Sequence, residues 1–206
     1  MKRLLPIFSY VFHPLFISVY ATLFYFVVTQ DFFYRHEIYL VFIQVLILTV
    51  LLPISLFYLL RSLGIIRTKN HMRRDERKMP LAFYSVLLFV LLKQSFSNIV
   101  LPELYYFFLG ALISTLLALL LTLLNFKPSL HVMGISAFTV FVVTISVYNH
   151  ITFLNLIAFL VICTGFTASA RLYRNHSNVG EIAVGALLGI LPQIGLWFFW
   201  LVPVFV

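Results

Sequence analysis

Charge is what this chain has least of. Asp, Glu, Lys and Arg together make up 10% of its 206 residues, and only 6 residues are acidic. A soluble domain is about a quarter charged. With 63% hydrophobic residues and a mean hydropathy of +1.07, a soluble globular fold is excluded. Cysteine is almost missing as well. Cys163 stands alone in an apolar run, which excludes an internal disulfide and a cysteine metal cluster. No Gly-rich phosphate loop occurs, and none of the six histidines falls into a His-x-x-x-His pair. No cofactor and no metal are expected. No hydrophilic stretch is long enough to fold by itself, so residues 1–206 read as a single integral membrane domain.

What is present is a succession of apolar runs. A membrane-crossing helix needs about 20 mostly apolar residues. Leu4–Thr29, Ile38–Leu60, Leu104–Leu124, Ile151–Ala170 and Ile182–Val206 meet that length, and Val132–Tyr148 is shorter but uncharged. Leu81–Val100 begins apolar and then meets Lys93, Gln94, Ser95, Ser97 and Asn98, as a tilted span or a re-entrant segment would. The fold class is therefore all-α, a polytopic transmembrane helix bundle with seven spans, or six as the alternative. The Met1-Lys2-Arg3 start and the run behind it read as an uncleaved first helix.

Three polar clusters interrupt the apolar runs. They are Arg73 through Pro80, Lys127-Pro128-Ser129-Leu130-His131, and Ser169-Ala170-Arg171 through His176 to Glu181. Charges kept beside a bilayer are costly and mark functional sites. With seven crossings, all three clusters fall on one membrane face. Twelve of the 14 Lys and Arg fall on that face too, leaving only Arg35 and Lys93 on the other. The positive-inside rule makes that face cytoplasmic. The net charge of +8 sits at membrane edges, so anionic headgroups and lipid phosphates are the expected partners, and nucleic acid is not.

Each cluster has a plain structural explanation beside a chemical one. Arg74 and Arg77 can serve topology, or present guanidinium forks to phosphate oxygens. Pro80 suits the first turn of the following helix. Ser129 can cap the helix that begins beside it, where backbone amides favour an anion, and His131 would then stand ready to donate a proton. Asn178 and Glu181 make a capping pair for the last helix. Alternatively, His176 is a nucleophile, Glu181 its orienting carboxylate and Arg171 a phosphate clamp.

In this order, over roughly residues 67–190, the clusters resemble the type 2 phosphatidic acid phosphatase superfamily. Its signatures are Lys-(x)6-Arg-Pro, Pro-Ser-Gly-His and Ser-Arg-(x)5-His-(x)3-Asp. The opening Ser9-Tyr10-Val11-Phe12-His13-Pro14 is similar to the first helix of divergent membrane relatives in Bacteroidetes. The resemblance implies His176 as nucleophile, His131 as general acid and Glu181 as orienting acid. Arg74, Arg77, Ser129 and Arg171 would hold phosphate. It also implies a bacterial inner-membrane protein with a periplasmic site, opposite to the face the basic residues favour. The chain departs from the pattern in each signature. Met72 stands where the Lys belongs and Met79-Pro80 replaces Arg-Pro, Leu130 replaces Gly, and the histidine lies at 176 where the spacing points to Ser177.

Two functions follow. One is hydrolysis of a phosphomonoester or diphosphate of a glycerolipid or polyprenyl lipid through a phosphohistidine. The other is a degenerate relative that binds lipid phosphate without turnover, or serves as a subunit of a membrane complex with a protein partner. A transporter finds less support, since the polar residues inside spans are few (Gln44, Asn155, Thr164, Thr167 and Gln193) and no internal helix repeat is present.

Overall fold

The computed structural model describes residues 11–65, 74–96 and 100–201. Among them it is all-helical, in seven segments. These are α1 (Pro14–Val28), α2 (Arg35–Ser62), α3 (Arg74–Gln94), α4 (Pro102–Leu123), α5 (Leu130–Tyr148), α6 (Leu154–Tyr173) and α7 (Val179–Leu201). Five of them, α2 and α4 to α7, are long and apolar enough to cross a bilayer. The chain is an integral membrane protein.

Helix ends follow a common device. Four helices stop at a residue in the left-handed region: Gly64, Asn125, His150 and Asn175, with φ of 74°, 63°, 54° and 50°. In each case the next amide reaches back five residues: Ile65 to Leu60, Phe126 to Leu121, Ile151 to Ser146 and His176 to Arg171, at 2.8–3.1 Å. This 6→1 bond satisfies a carbonyl that the helix end would leave open. Inside α2, Ile47–Leu51 is π-helical just ahead of Pro53. Proline has no N–H for the i−4 carbonyl, and a π-bulge absorbs the gap.

One expectation shifts here. Pro80 does not open a helix, because α3 already runs from Arg74. Glu76, Arg77 and Lys78 are good helix formers and carry the helix a turn upstream of the proline. Within Leu81–Val100, α3 continues unbroken to Gln94 with Lys93 in its last turn. Arg73, Ser97 and Asn98 lie outside the described residues, as do Ser9 and Tyr10.

The helices form two compact units. One is Leu15–Phe126, holding nearly all of α1 together with α2, α3 and α4. There α3 packs on α4, with Phe96 stacked on Phe108 at 4.9 Å between centroids. Tyr25 donates to the Glu103 carboxylate at 3.0 Å, and the Ser18 and Tyr84 hydroxyls meet at 3.2 Å.

The other unit joins the described residues up to Pro14 with those from Lys127 onward. Here α5 is the central helix, packed on both α6 and α7. Gly185-x-x-x-Gly189 on α7 allows its backbone to approach α5 closely. A Cβ at Gly185 would lie 2.6 Å from the Ser129 carbonyl oxygen. One at Gly189 would collide with the Met133 carbonyl and the Ser136 hydroxyl. The close approach lets the Ser129 amide donate to the Glu181 carbonyl at 2.9 Å. That bond ties the start of α5 to the first turn of α7, and so brings the second and third sequence clusters together.

Candidate functional site

Lys127 and Pro128 lead into α5, and both are buried. Ser129 follows at the N-cap position, fully buried. The expected cap does not form. The Ser129 hydroxyl makes no bond to the first turn of α5, and its Oγ has no hydrogen-bond partner. Its amide donates to the Glu181 carbonyl, which holds the backbone here while the hydroxyl stays unpaired. The amide-rich end of α5 keeps its partial positive charge beside it.

His131 stands in the first turn of α5. Its ring meets that of His13 edge to face, with centroids 5.1 Å apart and planes at 83°. The sequence leaves His13 as a packed or interfacial histidine. The structure gives it a place in this cluster, carried there by the segment before α1.

Arg171 lies in the last turn of α6 and is 5% exposed. Its Nε has no hydrogen-bond partner. Thr167, one turn earlier on the same helix, is fully buried with a partnerless Oγ1. Arg171 is close enough to both His13 and His176 to act on them electrostatically. The 6→1 bond at the end of α6 explains the second pairing: the His176 amide donates to the Arg171 carbonyl at 3.0 Å. The left-handed Asn175 makes that turn possible. Thus the backbone of His176 is turned back onto the end of α6 at Arg171. Ser177, at the position the spacing points to, is buried.

His176 titrates below its ordinary value. Partial burial is the main cause, followed by the charges of Arg171, Arg174 and Lys127. Its imidazole is therefore neutral at pH 7 and keeps the lone pair that a nucleophile needs. Glu181 behaves as a capping residue: its carboxylate accepts the Asn178 amide at 3.1 Å.

Lys127, Ser129, His131, Arg171, His176 and Glu181 all belong to this one unit, with Arg174 and His13. Arg77 belongs to the other unit, where it is buried. Arg74 begins α3, and its side chain lies outside the described residues. Thr167 escapes the sequence reading as a site residue. Its signal is spacing, four residues before Arg171 on one helix face. Among the described residues, no three His, Cys, Asp or Glu gather as metal ligands. No family model matches the chain, and no curated protein or solved structure matches it.

Chemically, the cluster sets three cations, Lys127, Arg171 and Arg174, against the single carboxylate of Glu181. It adds a buried hydroxyl with no acceptor and a histidine kept neutral by its surroundings. Such a group can bind an anion. With a histidine on the anion, it can also exchange a proton or attack a phosphorus centre.

Proposed function

We propose that this chain is a seven-span protein of the bacterial inner membrane that binds a lipid by its phosphate. On this view it is a divergent relative of the type 2 phosphatidic acid phosphatases. The carrying observation is Arg171, a buried guanidinium whose Nε has no partner, in the unit that also buries the partnerless Ser129 hydroxyl. A buried charge is tolerated when it is paired and hydrogen-bonded, and the one carboxylate of Glu181 leaves the cluster with an excess of positive charge that suits a further anion. A phosphate held by Lys127, Ser129 and Arg171 supplies one, with its lipid tail in the bilayer beside α6.

Turnover would proceed through His176. Its neutral nitrogen attacks phosphorus, the bond to the lipid oxygen breaks, and His131 gives a proton to that oxygen. Water then hydrolyses the phosphohistidine to free phosphate. The substrate is the phosphomonoester or diphosphate of a glycerolipid or polyprenyl lipid. A second reading, binding without turnover, is favoured by Glu181, whose carboxylate is engaged by the Asn178 amide instead of His176.

Purified protein in detergent separates the two. Phosphate release from phosphatidic acid or undecaprenyl diphosphate, abolished in His176→Ala and in His131→Ala, supports the hydrolase. Binding with no release above the double variant removes the enzyme and leaves the binding protein. Failure of Arg171→Ala to weaken the binding of either lipid would remove the site altogether. Labelling of a cysteine introduced at Asn175 from outside intact cells fixes which face the site occupies.

A further inference from the structure

A helical threonine ordinarily donates its hydroxyl to the carbonyl one turn back. This chain does so from Thr22 in α1 to Thr164 in α6, at 2.7–2.9 Å. Among the described helical threonines, Thr167 is the exception. It is 0% exposed, and its Oγ1 has neither the Cys163 carbonyl nor any other partner. In a bilayer such a hydroxyl has no water to turn to, so a buried Oγ1 without a partner calls for an acceptor.

Position narrows what that acceptor is. Thr167 precedes Arg171 by four residues, so the two share one face of α6, about 6 Å apart along the axis. Arg171 ends the helix, and Thr167 lies one turn further into the span. Both are buried donors with an open polar atom.

We propose that Thr167 is a specificity residue of the phosphate site. It hydrogen-bonds an uncharged oxygen that the ligand carries one helical turn deeper in the bilayer than its phosphate, namely an ester carbonyl of an acylated glycerol phosphate. This rests on the lipid-phosphate function above and extends it to the ligand's backbone. Charge excludes a second phosphate at that depth, because the next buried residues on this face are Cys163 and Leu160, not cations. An isoprenoid phosphate has no acceptor there, since its chain is hydrocarbon from the first carbon onward.

The test is binding of dihexanoyl phosphatidate and of its dihexyl ether analogue, which lacks the carbonyls. The full chain in detergent is titrated calorimetrically, beside Thr167→Val, Thr167→Ser and Arg171→Ala. The wild type is expected to bind the ester about 5-fold more tightly than the ether, the worth of one net hydrogen bond. Thr167→Val should reduce the ester to the ether's affinity, while Thr167→Ser should keep the preference. Equal affinity for both lipids in the wild type, with Arg171→Ala still losing both, overturns the Thr167 contact and leaves the phosphate site standing. A preference that survives in Thr167→Val overturns it as well. If Arg171→Ala binds both lipids like the wild type, the phosphate site fails and this inference fails with it.

Discussion

The two compact units treat their buried polar groups in opposite ways. In Leu15–Phe126 they close on one another. Tyr25 bonds Glu103, Ser18 meets Tyr84, and Thr22, Thr49, Ser114 and Thr122 return to their own helices. Among its described residues, only Ser95 Oγ is left buried without a partner. The unit built on α5, α6 and α7 leaves Ser129 Oγ, Thr167 Oγ1 and Arg171 Nε open, along with Asn149 Nδ2 at the end of α5 and Trp197 Nε1 in α7. Hydrocarbon offers no substitute partner, so open donors are more costly here than in a water-facing fold. On the proposed function, the open donors at Ser129, Thr167 and Arg171 are the ones a ligand would satisfy.

The sharpest way to break this contrast is Gly189→Ala. The added methyl meets the Met133 carbonyl and Ser136, so α5 and α7 must separate. We expect a loss of roughly 2–3 kcal/mol by thermal unfolding in detergent. Lipid affinity should fall as well, because the Ser129–Glu181 tie depends on the same approach. Unchanged melting would mean that the close crossing is not required.

Tyr25→Phe probes the closed unit. It leaves a Glu103 oxygen without its donor and should remove about 1 kcal/mol of stability. Lipid binding should not change, and a weakened affinity would contradict the division of labour. Ser129→Ala probes the open unit and should act with the opposite sign. Removing an unsatisfied hydroxyl leaves stability unchanged or slightly higher, while phosphatidate affinity falls about 5-fold. A protein that melts lower and binds normally would show that the hydroxyl is structural.

The smallest effect concerns pH. Burial and the Arg171, Arg174 and Lys127 charges hold His176 below its ordinary value of 6.5. As pH falls through 6.5, the unfolded chain takes up the proton before the folded one does, so stability declines toward acid. His176→Gln should remove that part of the slope. A bound phosphate offsets the neighbouring cations and should raise the His176 pKa, read from its imidazole signals by NMR. A pKa that stays put, or falls, would place the anion elsewhere.

Much of the fold is legible in the sequence, because hydrocarbon demands long apolar helices whatever their neighbours are. The apolar runs expected around residues 38–60, 104–124, 132–148 and 151–170 return as α2, α4, α5 and α6, with ends shifted by a few residues. The Asn178–Glu181 cap was legible too, being a contact between close neighbours. Pro80 was misplaced because the helix-forming run before it outweighed the break. The Ser129 side-chain cap does not form, and what the residue does make is a bond no local pattern shows, from its amide to the carbonyl of the distant Glu181.

By itself, the sequence determined that this is an all-helical integral membrane protein with basic and histidine-bearing clusters between its helices. Composition and local period suffice for that, since the bilayer acts on each segment separately. Tertiary structure alone decided which residues share a site. Gly185 and Gly189 bring Ser129 to Glu181, the left-handed Asn175 folds His176 back on Arg171, and the segment before α1 sets His13 against His131. The Ser129–Glu181 and His13–His131 contacts join residues far apart in the chain, where packing sets how closely two backbones approach; the His176–Arg171 turn is local but needs the left-handed Asn175.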